Sequence, residues 1–114
     1  MASYTSKIYA KEILDIIPNK RIIVLERDKN KIFMEKYSIT TEDINDIVYS
    51  LNPNCFIERI DNKDKKIKSK YLYVFNVIQE LNDEYGETLE KLYIKICAID
   101  EYVLLVSIHL INEY

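Results

Sequence analysis

Four polar residues near the end of the chain are spaced for chemistry. Tyr93 and Lys95 lie two apart, as do Ser107 and His109, inside two apolar runs, Leu89–Ile99 and Val103–Ile111. Strand side chains alternate, so the members of each pair share a face. The runs read as a hairpin turning at Asp100-Glu101. With the loop Asp100-Glu101-Tyr102, Ile99 faces Val103, Cys97 faces Leu105, Lys95 faces Ser107 and Tyr93 faces His109. The four polar residues then form one cluster. Leu92, Ile94, Ile96 and Ala98 fall on the other face with Leu104, Val106, Ile108 and Leu110. A two-residue loop shifts the pairing by one and dissolves the cluster.

A Tyr, a Lys and a His on an open sheet face suit RNA cleavage. The 2′-hydroxyl must lose a proton, the phosphorane needs positive charge, and the 5′-oxygen needs a proton. Histidine titrates in the range that proton transfer requires, and lysine stabilises the developing charge. The plainer reading is a solvated histidine, a strand-forming tyrosine and a solubilising lysine.

A second feature is the run Lys63–Lys70, with five Lys in eight residues and Arg59 just before it. Such a loop can grip a phosphodiester backbone; otherwise it is a solvated hairpin tip. Tyr71 and Tyr73 flank it among ten Tyr and no Trp. Exposed tyrosines stack on bases. Their shared face with Phe75 and Val77 favours core packing instead. Asp83, Glu84 and Glu87 fit no cation-loop signature and read as a solvated turn. No Gly-rich phosphate loop, metal-binding His pair or Ser-His-Asp arrangement is suggested.

The elements that must position these residues change period midway. Ser6–Ile17 reads as a helix capped by Ser6, with Tyr9, Ile13, Ile16 and Ile17 on one face and Pro18 ending it. Arg21–Glu26 (RIIVLE) favours a short strand. Lys29–Tyr37, capped by Asp28, has Ile32, Phe33 and the Lys36 stem facing inward. Thr40 with Asp43 resembles a capping box before a stripe of Ile44, Ile47, Val48 and Leu51. Strands then follow at Cys55–Ile60 and Tyr71–Gln79, with turn chemistry at Asn82–Gly86. Helices followed by strands predict an α+β fold, with N-terminal helices packed on a twisted antiparallel sheet of about four strands.

The 114 residues suit a single domain, 1–114, and can bury a core without disulfide or metal. Hydrophobic residues at 48%, one Gly and two Pro exclude a disordered or repetitive chain. The longest apolar run, Val103–Val106, is too short for a bilayer, and no signal core opens the chain. Cys55 and Cys97 form no framework, which suits free thiols in a reducing cytoplasm. Abundant Lys and Ile suit an AT-rich bacterial or phage genome. The net charge of −3 argues against a large non-specific nucleic-acid surface but not against a local basic face.

The stretches MEKYSITTEDINDIVYSLNPNCFIERI and KLYIKICAIDEYVLLVSIH resemble the MqsR family of type II toxins. These are ribosome-independent mRNA interferases on a RelE-like fold. The resemblance runs from about Arg21 to His109. The best pieces are Tyr37–Thr41 with its helix, Leu92–Ile96, and Val106–His109. It implies a metal-independent endoribonuclease without cofactor, neutralised by an antitoxin protein and acting on single-stranded RNA. Tyr93 falls on the family's strand tyrosine, and His109 on a basic position of the last strand. With Lys95 from the strand-face reading, Tyr93, Lys95 and His109 are the expected catalytic residues. Arg59, with Lys65, Lys66, Lys68 and Lys70 from the basic run, are the expected RNA-binding residues. The family's basic residue on the first sheet strand corresponds to Glu58 or Arg59, and its charge survives only through Arg59. A polar amide of the next strand falls on or near Val74, which cannot replace it. The acidic pI near 5.2 is a further departure. A non-catalytic binding module, such as a phage-encoded inhibitor of a bacterial defence system, is the rival expectation.

Overall fold

The structure, a computed structural model, describes residues 4–111. Helix α1 spans Tyr4–Leu14 and buries Ala10 and Ile13. Ser6 lies inside it and is not its cap. A short 3-10 turn, Ile17–Asn19, carries Pro18 where proline's missing N–H is harmless. Strand β1 is Arg21–Val24, α2 is Asp28–Lys36 and α3 is Thr41–Tyr49. The capping box of α3 forms as expected. The Asp43 N–H donates to Thr40 Oγ1 at 3.2 Å, and the Thr40 N–H donates to Asp43 Oδ2 at 2.8 Å. In α2 the inward residues are Asn30 and Phe33, whereas Ile32 and Lys36 are exposed.

Four strands follow: β2 (Phe56–Asp61), β3 (Tyr71–Asp83), β4 (Gly86–Ile99) and β5 (Tyr102–Leu110). The sheet order is β1-β5-β4-β3-β2. The fold is therefore α+β with a mixed five-stranded sheet, not an antiparallel sheet of four. Strand β1 supplies the difference by pairing parallel with β5, Arg21 opposite Tyr102 and Val24 opposite Leu105. The long connection from β1 to β5, through α2, α3 and β2 to β4, permits parallel pairing.

The helices cover one face. Ile13, Ile44, Ile47 and Val48 pack there on Phe75, Leu92, Ile94, Ile96, Leu105 and Ile108. A smaller cluster on the other face joins Ile67, Leu72, Cys97, Leu104 and Val106. Leu104 and Val106 thus lie opposite the expected face, and the hairpin register explains why. The turn has two residues, Asp100 and Glu101, so Ile99 pairs with Tyr102 and Cys97 with Leu104. Asp100 adopts left-handed backbone (φ 46°), which aspartate tolerates. The register then slips between Ile96–Leu105 and Lys95–Ser107, leaving Val106 as the extra residue of a β-bulge. The slip restores Lys95 opposite Ser107 and Tyr93 opposite His109. The two-residue loop therefore does not dissolve the cluster.

Asn30, 1% exposed, holds that bulge. Its Nδ2 donates to Val106 O at 3.1 Å and Leu25 O at 3.0 Å, while its Oδ1 accepts from the Ile108 N–H at 3.1 Å. A buried amide with both ends paired meets its desolvation cost.

Candidate nucleic-acid interface

The face away from the helices carries the candidate site. Alternation along β4 and β5 places Tyr93, Lys95, Ser107 and His109 there. The Tyr93 and His109 rings stack with centroids 4.7 Å apart and planes 13° from parallel. Such a contact is worth about 0.5–1.5 kcal/mol beyond area burial. The Nδ1 of His109 lies 2.8 Å from the Leu110 carbonyl. A carbonyl only accepts, so Nδ1 carries that proton, and in the neutral ring Nε2 is left as the proton acceptor.

Strand β3 brings an amide to this pair. Asn76 is the cross-strand partner of Tyr93. Asn76, Tyr93, His109, Glu58, Val74 and Ile57 line one shallow cleft of about 220 Å³, with Ile111 at its margin. Burial, with Glu58's charge as a second cause, pushes the Tyr93 phenol above its ordinary range. It therefore stays protonated and available as a donor at neutral pH. Lys95 is pushed the other way, chiefly by burial and then by the Arg27 charge.

Arg59 is not part of this group. It sits on the helix-side face, because it is adjacent in sequence to Glu58 and adjacent strand residues point to opposite faces. There its guanidinium lies 3.6 Å from the Tyr9 ring centroid and 3.7 Å from that of Tyr71. Its Nη1 pairs with Glu12 at 3.0 Å, and the Tyr73 hydroxyl donates to the same carboxylate at 3.0 Å. Arg59, Tyr71 and Tyr73 thus clamp α1 to the sheet edge. Glu58, an anion, stands where the resemblance asked for a cation.

The lysine run is an ordered loop. The Asn62 side-chain amide donates to Ile67 O at 2.7 Å and Ser69 O at 2.8 Å. Ile67 is buried against Leu72, Cys97 and Val106 on the site's face. Lys65, Lys66, Lys68 and Lys70 remain exposed around this anchor. Lys70 reaches back to the Tyr71 ring, 5.3 Å from its centroid. Lys63 lines a depression with Lys95 and Arg27.

Two residues of this face escaped the sequence reading. Asn76 was legible: it lies two residues beyond Val74 and so shares its face. Arg27 carried no such signal, since it lies between β1 and α2, where no periodicity assigns a direction. Among the described residues, no three His, Cys, Asp or Glu side chains converge as a metal site requires. No helix of the described residues is long and apolar enough to cross a membrane. Comparison with protein-family models, with curated proteins and with solved structures returns no match.

Proposed function

We propose that this chain is a metal-independent endoribonuclease that cleaves single-stranded RNA, the toxin of a type II pair related in design to the MqsR-like, RelE-like interferases. The observation that carries the reading is the stacked Tyr93–His109 pair beside Asn76, with His109 Nδ1 tied to a carbonyl. In this reading Nε2 of His109 takes the proton of the 2′-hydroxyl. The 2′-oxygen attacks phosphorus, the bond to the 5′-oxygen breaks, and the Tyr93 hydroxyl protonates the leaving oxygen. A 2′,3′-cyclic phosphate and a 5′-hydroxyl result. Asn76 hydrogen-bonds the substrate beside the reacting phosphate, Lys95 draws in the neighbouring phosphate, and the Lys63–Lys70 loop receives the flanking strand.

The direct test is cleavage of single-stranded RNA by purified protein in excess chelator. His109→Ala and Tyr93→Phe should each lose at least about a hundredfold in rate. Wild-type cleavage in both variants would sink the assignment.

A second reading, a protein-binding module, is favoured by one observation. Ile57 lines the same cleft at 47% exposure, Ile78 and Leu89 continue along the same sheet face at 67% and 71%, and Glu58 adds negative charge. Expression of the chain alone in a bacterial host separates the two. Growth arrest relieved by a neighbouring small gene supports the toxin with its cytoplasmic antitoxin; harmless high expression supports the binder.

A further inference from the structure

Arg27 follows β1 and reaches onto the open face. Its Nη1 donates to the Val106 carbonyl at 3.2 Å and to Ser107 Oγ at 3.1 Å. Those bonds fix the guanidinium against the bulge and leave Nε and Nη2 without a partner among the described residues. Ser107 is the cross-strand partner of Lys95. Arg27, Lys95 and Lys63 line one depression of about 570 Å³. Asp61 and Asp64 line it too. The Asp64 carboxylate accepts from the Lys66 N–H at 2.9 Å, and neither aspartate forms an ion pair with Arg27 or Lys95 among the described residues. Arg27 and Lys95 thus share a concave surface with no carboxylate ion-paired to either among the described residues. Like charges held this way repel, and an anion that bridges them relieves the repulsion.

We propose that Arg27, Lys95 and Ser107 form a phosphate subsite, which holds the RNA phosphodiester next to the one cleaved at Tyr93 and His109. The anion site stands on this geometry; its assignment to RNA rests on the ribonuclease reading. The Lys95–Ser107 pair lies two residues along both strands from Tyr93–His109. At the usual strand rise that separation is about 7 Å, comparable with one nucleotide step of an extended backbone. Arginine supplies a planar fork for the phosphate oxygens and lysine a point charge, with the serine hydroxyl as a further donor.

The test begins with inorganic phosphate, titrated at low ionic strength and followed by NMR at the Arg27 side chain and the Ser107 amide. Saturable shifts are expected at both. Arg27→Gln and Lys95→Gln should each weaken phosphate about tenfold, while Arg27→Lys retains most of the affinity. Thermal melts establish that each variant is folded. Absent shifts, or unchanged affinity in both Gln variants, overturn the subsite. The second probe is an uncleavable 2′-O-methyl RNA trinucleotide. Arg27→Gln should lower the slope of log affinity against log salt by about 0.7. Phosphate binding with no change in that slope overturns the assignment to RNA. Wild-type protein that binds both probes but does not cleave ordinary RNA supports the subsite and strikes the ribonuclease reading alone.

Discussion

The side-chain amide of Asn30 takes the place of a peptide unit beyond the end of β1, donating to Val106 O and accepting from the Ile108 N–H at 3.1 Å each. The backbone ladder stops at the bond from the Leu25 N–H to Leu105 O, 2.9 Å. One residue further, Val106 bulges out and the chain before α2 turns away. The amide fills the gap, and the bulge it holds places His109 opposite Tyr93.

Asn30→Leu should therefore destabilise the fold by about 2–4 kcal/mol, because it strands buried polar backbone groups. Chemical denaturation measures the loss. Hydrogen exchange at Ile108 should accelerate well beyond the global change. Equal acceleration across β5 would show that the amide does not hold the bulge.

The Arg59 clamp is a stability element. Arg59→Met should lower the melting temperature through the lost cation–π contacts with Tyr9 and Tyr71 and the lost Glu12 pair. A double-mutant cycle with Glu12→Gln should show coupling between the two. The proposed RNA cleavage, measured well below the melting temperature, should be unchanged.

The Tyr93 phenol is raised by burial first and by Glu58 second. Glu58→Gln removes only the second cause. An ultraviolet titration of Tyr93, with the signal assigned by Tyr93→Phe, should move downward in that variant while staying above the ordinary phenol range. A full return to the ordinary range would show that burial is not the main cause.

Buried Cys97 and half-buried Tyr73 contribute to the alkaline decline of stability. Burial pushes the Cys97 thiol from 9.0 to about 11, and burial with the Glu12 bond pushes Tyr73 from 10.0 to about 12. Both groups are neutral when protonated, so the folded state holds these protons more tightly than the unfolded state. Their contribution is complete below pH 9.0 and declines as pH rises through the folded values. Melting temperatures should fall from about pH 9 upward. Tyr73→Phe should flatten the later part of that decline. Native Cys97 should resist alkylation at pH 8, because a thiol with so little thiolate reacts slowly; rapid labelling would contradict its burial.

Much of the architecture is written in local pattern. The switch from helical spacing to alternation marks where the sheet begins, and Thr40 with Asp43 marks the start of α3 to the residue. The shared face of Tyr93 with Lys95, and of Ser107 with His109, follows from period two alone. The same period marks Asn76 as a neighbour of Val74.

Which face is open, and in what register the strands meet, is not local. Glu58 and Arg59 are equally strand-like, and Arg59 turns inward because Glu12, Tyr9 and Tyr71 gather around it. A two-residue loop at Asp100 reads as incompatible with pairing Tyr93 and His109. The bulge that reconciles them depends on an amide 76 positions away in the chain. The sequence by itself determined which side chains travel together on a strand, because alternation is set by the backbone of that strand. Only the tertiary structure decided that Arg27, not Arg59, stands beside Lys95. That choice depends on which distant donors and charges must be satisfied once the strands and helices are packed.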